Sequence, residues 1–384
     1  MLRNLNRRSY RPVYPWIAPH PIWLWHLYRI VSCLLIVTIL QGCTFTGEAR
    51  SDAPKLVLYD WEEDIPQSVL DAFTAEYGIQ VEYAVYEATE EAVDSLRAGN
   101  AYDVVVMENR FIPALIEEAL LARIDRGDIP NFKNISPNFR GLIYDPDNQY
   151  SIPYSWGTTG MVVRPDLLAE PITRWADLWD ARYAGRVAFY RGQSREAIGL
   201  TLKSLGYSVN AEDPAALQAV SDRLQELRPM VRFSEDYDPV TVARPLADGA
   251  VVAAMGYTID VVEGRALGVD LQYVLPAEGG LLWGDNFVIP ATHENYAAAL
   301  QFIDFVLRPE TSAAIMNAKH FAMANDAAMP YVKPTLAQDR MVFPSETQMA
   351  NIEIVLPLSR AGEELYAQVW TQFIADDEID TNLR

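Results

Sequence analysis

From Lys55 onward the chain alternates short apolar runs with stretches whose apolar residues recur at helical spacing. Lys55 to Tyr59 is a run of strand length. Between Pro66 and Tyr77, Val69, Leu70, Phe73 and Tyr77 fall on one helix face, and Gly78 supplies a stop. Ile79 to Val85 follows, where Val81, Tyr83 and Val85 alternate with Gln80, Glu82 and Ala84, the pattern of a half-buried strand. A second helix is predicted over Glu90 to Ala98, stopped by Gly99, and Tyr102 to Val106 reads as a buried strand. Strands separated by helices imply parallel βαβ units.

The alternation restarts after Tyr154. Helices are predicted over Trp175 to Trp179, Ser194 to Leu205 and Pro214 to Leu227, and strands over Arg186 to Tyr190, Val251 to Met255 and Leu271 to Leu275. Gly279-Gly280 precedes the segment Leu281 to Pro290, and a helical tail starts at Glu294 and runs past Leu307. No internal repeat or low-complexity tract is visible. Two α/β units joined by extended connections predict two lobes with a ligand cleft between them. The expected division places 55–157 and 284–332 in one lobe, and 158–283 and 333–384 in the other.

Composition changes the picture at the N-terminus. The first 42 residues carry Arg3, Arg7, Arg8, Arg11 and Arg29 and no acidic residue, and the apolar stretch Ile30 to Leu40 runs into Gln41-Gly42-Cys43. So short a stretch does not span a bilayer, and a small residue before a cysteine suits cleavage with lipid attached to that cysteine. Residues 1–42 therefore read as a signal peptide, Cys43 as the lipidation site and 43–54 as a lipidated polar tether. Cys33 leaves with the leader, so the folded body has no disulfide, thiol nucleophile or cysteine metal site. The formal charge of the whole chain is −21; losing the five leader arginines takes 31 basic residues to 26 against 52 acidic ones, or −26. Such a surface repels nucleic acid and draws in small cations. About 340 residues exceed one compact core and suit two lobes.

Candidate chemistry begins at Trp61-Glu62-Glu63-Asp64, between the first predicted strand and helix. Ligands of open α/β sheets bind at the carboxyl ends of strands. An aromatic face beside clustered carboxylates suits a cation, and the competing reading is a solvated acidic loop that favours the start of the next helix. His20 and His26 leave with the leader, and His293 and His320 are far apart in sequence. No Ser-His-Asp arrangement, zinc spacing, Walker loop or dinucleotide fingerprint is present, so neither a cofactor nor a metal is expected. Abundant carboxylates leave a hydrolase acting through an acid pair as a competing class, although no spacing marks one.

Several stretches then match one family in order. They are Tyr59-Asp60-Trp61, Tyr102 to Val106, Ser151-Ile152-Pro153-Tyr154-Ser155-Trp156-Gly157-Thr158 and Trp175-Ala176-Asp177-Leu178-Trp179. Ser194-Arg195-Glu196, Glu278-Gly279-Gly280, Trp283-Gly284-Asp285 and Leu307-Arg308-Pro309-Glu310 continue the series. From about Lys55 to about Tyr331 the chain resembles the spermidine/putrescine-binding proteins of bacterial ABC importers. The resemblance implies a two-lobed periplasmic-binding fold of type II, each lobe a mostly parallel sheet flanked by helices, closing over an extended polyamine without covalent chemistry. It also implies an ABC permease and its ATPase as partners, at the periplasm or the outer face of the cytoplasmic membrane. A lipid-anchored monomer is expected.

Carried over by position, Trp61 is a channel wall, Glu196 and Asp285 hold amines, and Trp283 stacks on the ligand. Asp285 and Trp283 are two apart, so an extended strand points them the same way. The chain departs from the family pattern at Asp64 and Arg110, each in place of a tyrosine, and at Gln193 in place of a carboxylate. It departs again at Gly256, in place of a tryptophan with Tyr257 beside it. Phe321 is the aromatic expected from the second lobe crossing, and Glu62, Asp64 and Glu108 redistribute negative charge. Trp156, Trp175 and Trp179 are assigned to lobe packing. Were Arg110 to face the cleft, a zwitterionic ω-amino acid or another small solute would be the alternative ligand; a ligand-sensing lipoprotein is the alternative without transport.

Overall fold

The computed structural model describes residues 54–234 and 239–375, so the expected signal peptide, Cys43 and most of the tether lie outside the described residues. The alternating patterns become β1 (Lys55–Trp61), α1 (Gln67–Tyr77), β2 (Gln80–Tyr86), α2 (Thr89–Arg97) and β3 (Val104–Glu108). A long strand, β4 (Ser151–Val163), leads to β5 (Val187–Tyr190), α3 (Ser194–Ser204), α4 (Pro214–Leu227) and β6 (Val231–Ser234). Next come β7 (Ala253–Gly256), α5 (Thr258–Ala266), β8 (Gln272–Val274) and β9 (Leu281–Val288). The principal elements end with α6 (Tyr296–Val306), α7 (Pro309–Lys319), β10 (Ala322–Met323), β11 (Glu353–Ile354) and α8 (Arg360–Ile374).

The strand order is β2-β1-β3-β9-β4-β7-β5-β6. Within β1, β2 and β3, and again within β5, β6 and β7, the pairing is parallel, as the helical crossovers require. Between these blocks β9 runs antiparallel to β3, β4 to β9, and β7 to β4, so the whole sheet is mixed. β4 belongs to both blocks: Ser151 to Thr159 pair with β9, and Gly160 to Val163 pair with β7 and β8. β11 adds a further connection, beside Leu281 and Leu282 of β9.

Cores lie on both faces of each block. Leu56 and Leu58 pack with Phe73, Val104, Phe287 and Phe302 on one face of β1, while Tyr59 turns to Tyr86, Val105 and Met107 on the other. In the second block Phe189, Leu200, Leu224 and Phe233 face one core and Ala188, Tyr190, Val162 and Ala254 the other. Trp156 joins the first set and Trp175 the second, where its ring stacks 5.7 Å from Phe189, in keeping with the packing roles read for them. Leu336 and Val342 pack into the first core, whereas Val355 and Trp370 pack into the second.

Strand ends are where the hydrophobic pattern and the fold differ. β1 continues two residues past Tyr59, with Asp60 opposite Val85 and Trp61 opposite Tyr86, and β3 continues to Glu108. The apolar pattern marks the buried middle of a strand, but backbone pairing carries on through the polar residues at its carboxyl end. Trp175–Trp179, read as a helix, is a 3-10 turn.

Candidate functional site

The carboxyl ends of β1 and β3, the middle of β9 and the start of α3 set five carboxylates in a chain of electrostatic neighbours: Asp60 with Asp64 and Asp285, Asp285 with Asp64 and Glu108, and Glu108 with Glu196. Asp60 is fully buried. Its Oδ1 accepts from the Trp61 amide at 2.8 Å, and the Tyr83 hydroxyl donates between Asp60 Oδ2 (3.0 Å) and the Trp61 carbonyl (2.7 Å). Burial first, and then Asp64 and Asp285, push its carboxyl well above the usual range. Asp64 follows the β1 end; burial outweighs the nearby Tyr154 hydroxyl and Lys319 and pushes its carboxyl up to about 6.

Asp285 and Glu108 are directly opposed across the β3/β9 pair, where like charges repel. Asp285 is 7% exposed, and its Oδ2 accepts from Ser155 Oγ at 3.1 Å across the β4/β9 pair. Burial, Glu108 and Asp64 push its carboxyl well up. Glu108 accepts from Thr89 Oγ1 at 3.0 Å and from Arg110 Nε at 2.7 Å. Arg110 also donates to Glu90 at 3.1 Å. Burial works against its charge, but Glu108, Glu196 and Glu90 together raise its pKa above the ordinary guanidinium value. The Glu196 carboxyl, near the start of α3, is raised by burial against the pull of Arg110.

Aromatic rings frame these charges. Trp61 lies 4.6 Å from Tyr86, and Tyr257 stands edge-on to Trp283 at 6.2 Å. Trp283 needs the glycine opposite it: a Cβ on Gly157 would overlap the indole, with Cε2 at 2.7 Å. Tyr257 is held by its amide, which donates to Asp260 Oδ2 at 2.6 Å; a side chain on Gly256 would collide with that carboxylate, which explains the glycine there. Phe321 meets Tyr154 edge-on at 6.1 Å and buttresses it.

Most of the residues singled out in the sequence converge here: Trp61, Asp64, Glu108, Gln193, Glu196, Tyr257, Trp283 and Asp285, with Phe321 one layer behind. Glu62 is exposed and has no hydrogen bond or ion pair with the cluster among the described residues. Glu63 turns outward with φ 54° to meet Lys319 at 3.6 Å. Sequence reasoning missed Asp60, Tyr83, Tyr154 and Ser155 as members of the site. Six buried side-chain atoms here have no hydrogen-bond partner within bonding geometry among the described residues: Asp64 Oδ2, Tyr154 Oη, Gln193 Oε1 and Nε2, Trp283 Nε1 and Asp285 Oδ1. Native interiors rarely leave such atoms unpaired, so their grouping makes this the candidate site. A separate groove of about 470 Å³, lined by residues such as Val163, Ile172, Tyr273 and Leu275, has no charged lining and no such chemistry. No cluster able to hold a metal occurs among the described residues.

Residues 68–350 match the family model for bacterial extracellular solute-binding proteins. The chain belongs to that family. Among relatives of this solute-binding protein is the spermidine/putrescine-binding periplasmic protein of Salmonella typhimurium, 34% identical over 77% of this chain and 84% of the relative. The putrescine-binding periplasmic protein SpuD of Pseudomonas aeruginosa is 29% identical over 90% of this chain and 98% of its own. A solved structure of the spermidine/putrescine ABC transporter substrate-binding protein PotD from Streptococcus pneumoniae superimposes with a TM-score of 0.75, at 30% identity, over 83% of this chain and 98% of its own. The two-lobed periplasmic-binding fold is therefore the fold of this chain. No helix among the described residues is long and apolar enough to cross a membrane.

Proposed function

We propose that this protein captures a linear diamine or polyamine outside the cytoplasmic membrane and delivers it to an ABC permease and its ATPase. The observation that carries this reading is the carboxylate cluster in which Asp64 Oδ2 and Asp285 Oδ1 are buried with no hydrogen-bond partner among the described residues. Ammonium groups supply what these oxygens lack, while the methylenes between them pack on Trp61, Tyr257 and Trp283. The printed names of the relatives support the same ligand class. An ω-amino acid fits less well, because Arg110 already donates to Glu108 and Glu90. Binding proceeds by lobe closure, with no covalent chemistry. The lobes we propose follow the division expected from the sequence, except that the segment around Leu336 and Val342 goes with the first lobe, whose core it enters. Lipidation at Cys43 and a monomeric state complete the proposal.

Titration calorimetry with putrescine, spermidine and γ-aminobutyrate tests it. The amines should bind and γ-aminobutyrate should bind weakly or not at all. Binding of a neutral or anionic solute with no response to either amine would overturn the reading.

A further inference from the structure

Gln193 is 4% exposed and stands at the start of α3, yet neither atom of its amide has a hydrogen-bond partner within bonding geometry among the described residues. It does not cap the helix, so the positive end of the helix dipole is left uncovered beside it. Glu196, three residues on, lies where the N-cap and third-position side chains of a helix approach each other. Among the described residues its carboxylate bonds no other side chain; its own backbone amide and the more distant Arg110 are what favour its charge. The Tyr257 phenol neighbours both residues, and its ring stands edge-on to Trp283 at 6.2 Å. Gln193 and Glu196 therefore sit together beside the aromatic rings, at the end of the carboxylate chain farthest from Asp60.

This end differs from the other in what it can pair with. The unpaired atoms of Asp64 and Asp285 are oxygens, whereas Gln193 presents an unpaired donor beside an unpaired acceptor. Negative charge is also largely compensated here, because Arg110 donates to Glu108 at 2.7 Å and acts on Glu196. A second cation, ammonium or guanidinium, offers N–H donors and no acceptor. It would pair with Glu196 and Gln193 Oε1 but strand Gln193 Nε2 in a buried site, with Arg110 close by. A carboxylate has the reverse fault, satisfying Nε2 while facing Glu196 and Glu108. A ureido group, R–NH–CO–NH2, is neutral and has both faces required. Its carbonyl and the adjacent N–H match the two atoms of a carboxamide, and the two parallel N–H groups on its other side match a carboxylate.

We propose that Gln193 and Glu196 bind a neutral ureido end group, so that the preferred ligand is a linear amine with one ammonium end and one ureide end. This rests on the amine reading above, which supplies the ammonium end. Gln193 is the residue that sets the choice: its Nε2 rewards a carbonyl oxygen in the ligand and penalises a nitrogen in the same place.

The test is titration calorimetry on the purified protein with N-carbamoylputrescine, agmatine and putrescine. The first two have the same chain and shape and differ at one atom of the end group, a carbonyl oxygen in the first and a guanidinium nitrogen in the second. N-Carbamoylputrescine should bind about tenfold more tightly than either agmatine or putrescine. Gln193→Glu, which keeps the side chain's size and turns its donor nitrogen into an acceptor, should reverse the order. Agmatine or putrescine binding the unaltered protein as tightly as N-carbamoylputrescine would overturn the ureido site while leaving amine binding intact. An unchanged preference in Gln193→Glu would also overturn it, since another group would then read the carbonyl. Pentylamine gives a check that needs no variant: lacking a polar end, it should bind about tenfold more weakly than N-carbamoylputrescine, and equal binding would overturn the assignment. Failure of all these compounds to bind, spermidine included, would remove both the ureido site and the proposed function.

Discussion

Asp60 and Asp285 are both buried and both hold their protons more tightly than an ordinary carboxyl, yet their bonding differs. Both oxygens of Asp60 are satisfied within the chain, whereas Oδ1 of Asp285 awaits a donor. Asp285→Asn should therefore weaken putrescine binding by roughly 100-fold, the effect of stranding a buried ammonium, and Asp60→Asn by less; calorimetry on the two variants decides. The empty Asp285→Asn protein should also melt higher, because a carboxylate opposed to Glu108 has been neutralised. Asp64 gives the pH dependence. Its folded pKa of about 6 lies above the ordinary 3.8, so its contribution to the stability of the empty protein is complete below about pH 4 and is lost as pH rises through about 6. Ligand affinity runs the other way, since an ammonium needs the ionised form. It should tighten about tenfold between pH 5 and pH 7, measured by titration at constant salt. At this scale Trp283 and Asp285 were legible through the family resemblance of Trp283-Gly284-Asp285, and their spacing of two on a strand agrees with a ring and a charge on one face. Tyr154 and Asp60 were not visible. Tyr154 stands in an apolar run that reads as core, and its missing partner emerges only once the register of β4 against β9 is fixed.

Elements place these residues through the way strands end and pair. β1 and β3 each carry a charged residue beyond an apolar middle, their parallel order puts both carboxyl ends on one edge, and antiparallel β9 sets Asp285 from its middle opposite Glu108 at the end of β3. The alternation of strands and helices was legible from the sequence, and so was the parallel pairing inside each block. The antiparallel insertion of β4 and β9 was not, because their long connections leave no helical crossover to fix direction. Gly157 on β4 shows how tightly the two strands are matched. Gly157→Ala would force the Trp283 indole out of position, costing about 1 to 3 kcal/mol in stability from overpacking. Putrescine affinity should fall together with the melting temperature, whereas a surface change such as Lys133→Ala should move neither. Thermal melts with and without putrescine separate the two cases.

At the scale of the molecule, two blocks face each other across the carboxylates, and three chain segments, around β4, β9 and β11, pass between them. Putrescine should contract the protein as the lobes close, seen as a smaller radius of gyration in small-angle scattering. No contraction at saturating ligand, with binding confirmed by calorimetry, would show that the lobes are already closed or do not move. The sharing of β4 has another consequence. Its first nine residues complete the ladder with β9 and its last four the ladder with β7 and β8. Neither half can therefore lose its structure while the other keeps an intact centre. The cores of the two blocks are bound into one cooperative unit, so scanning calorimetry should find a single transition where two independent domains would give two.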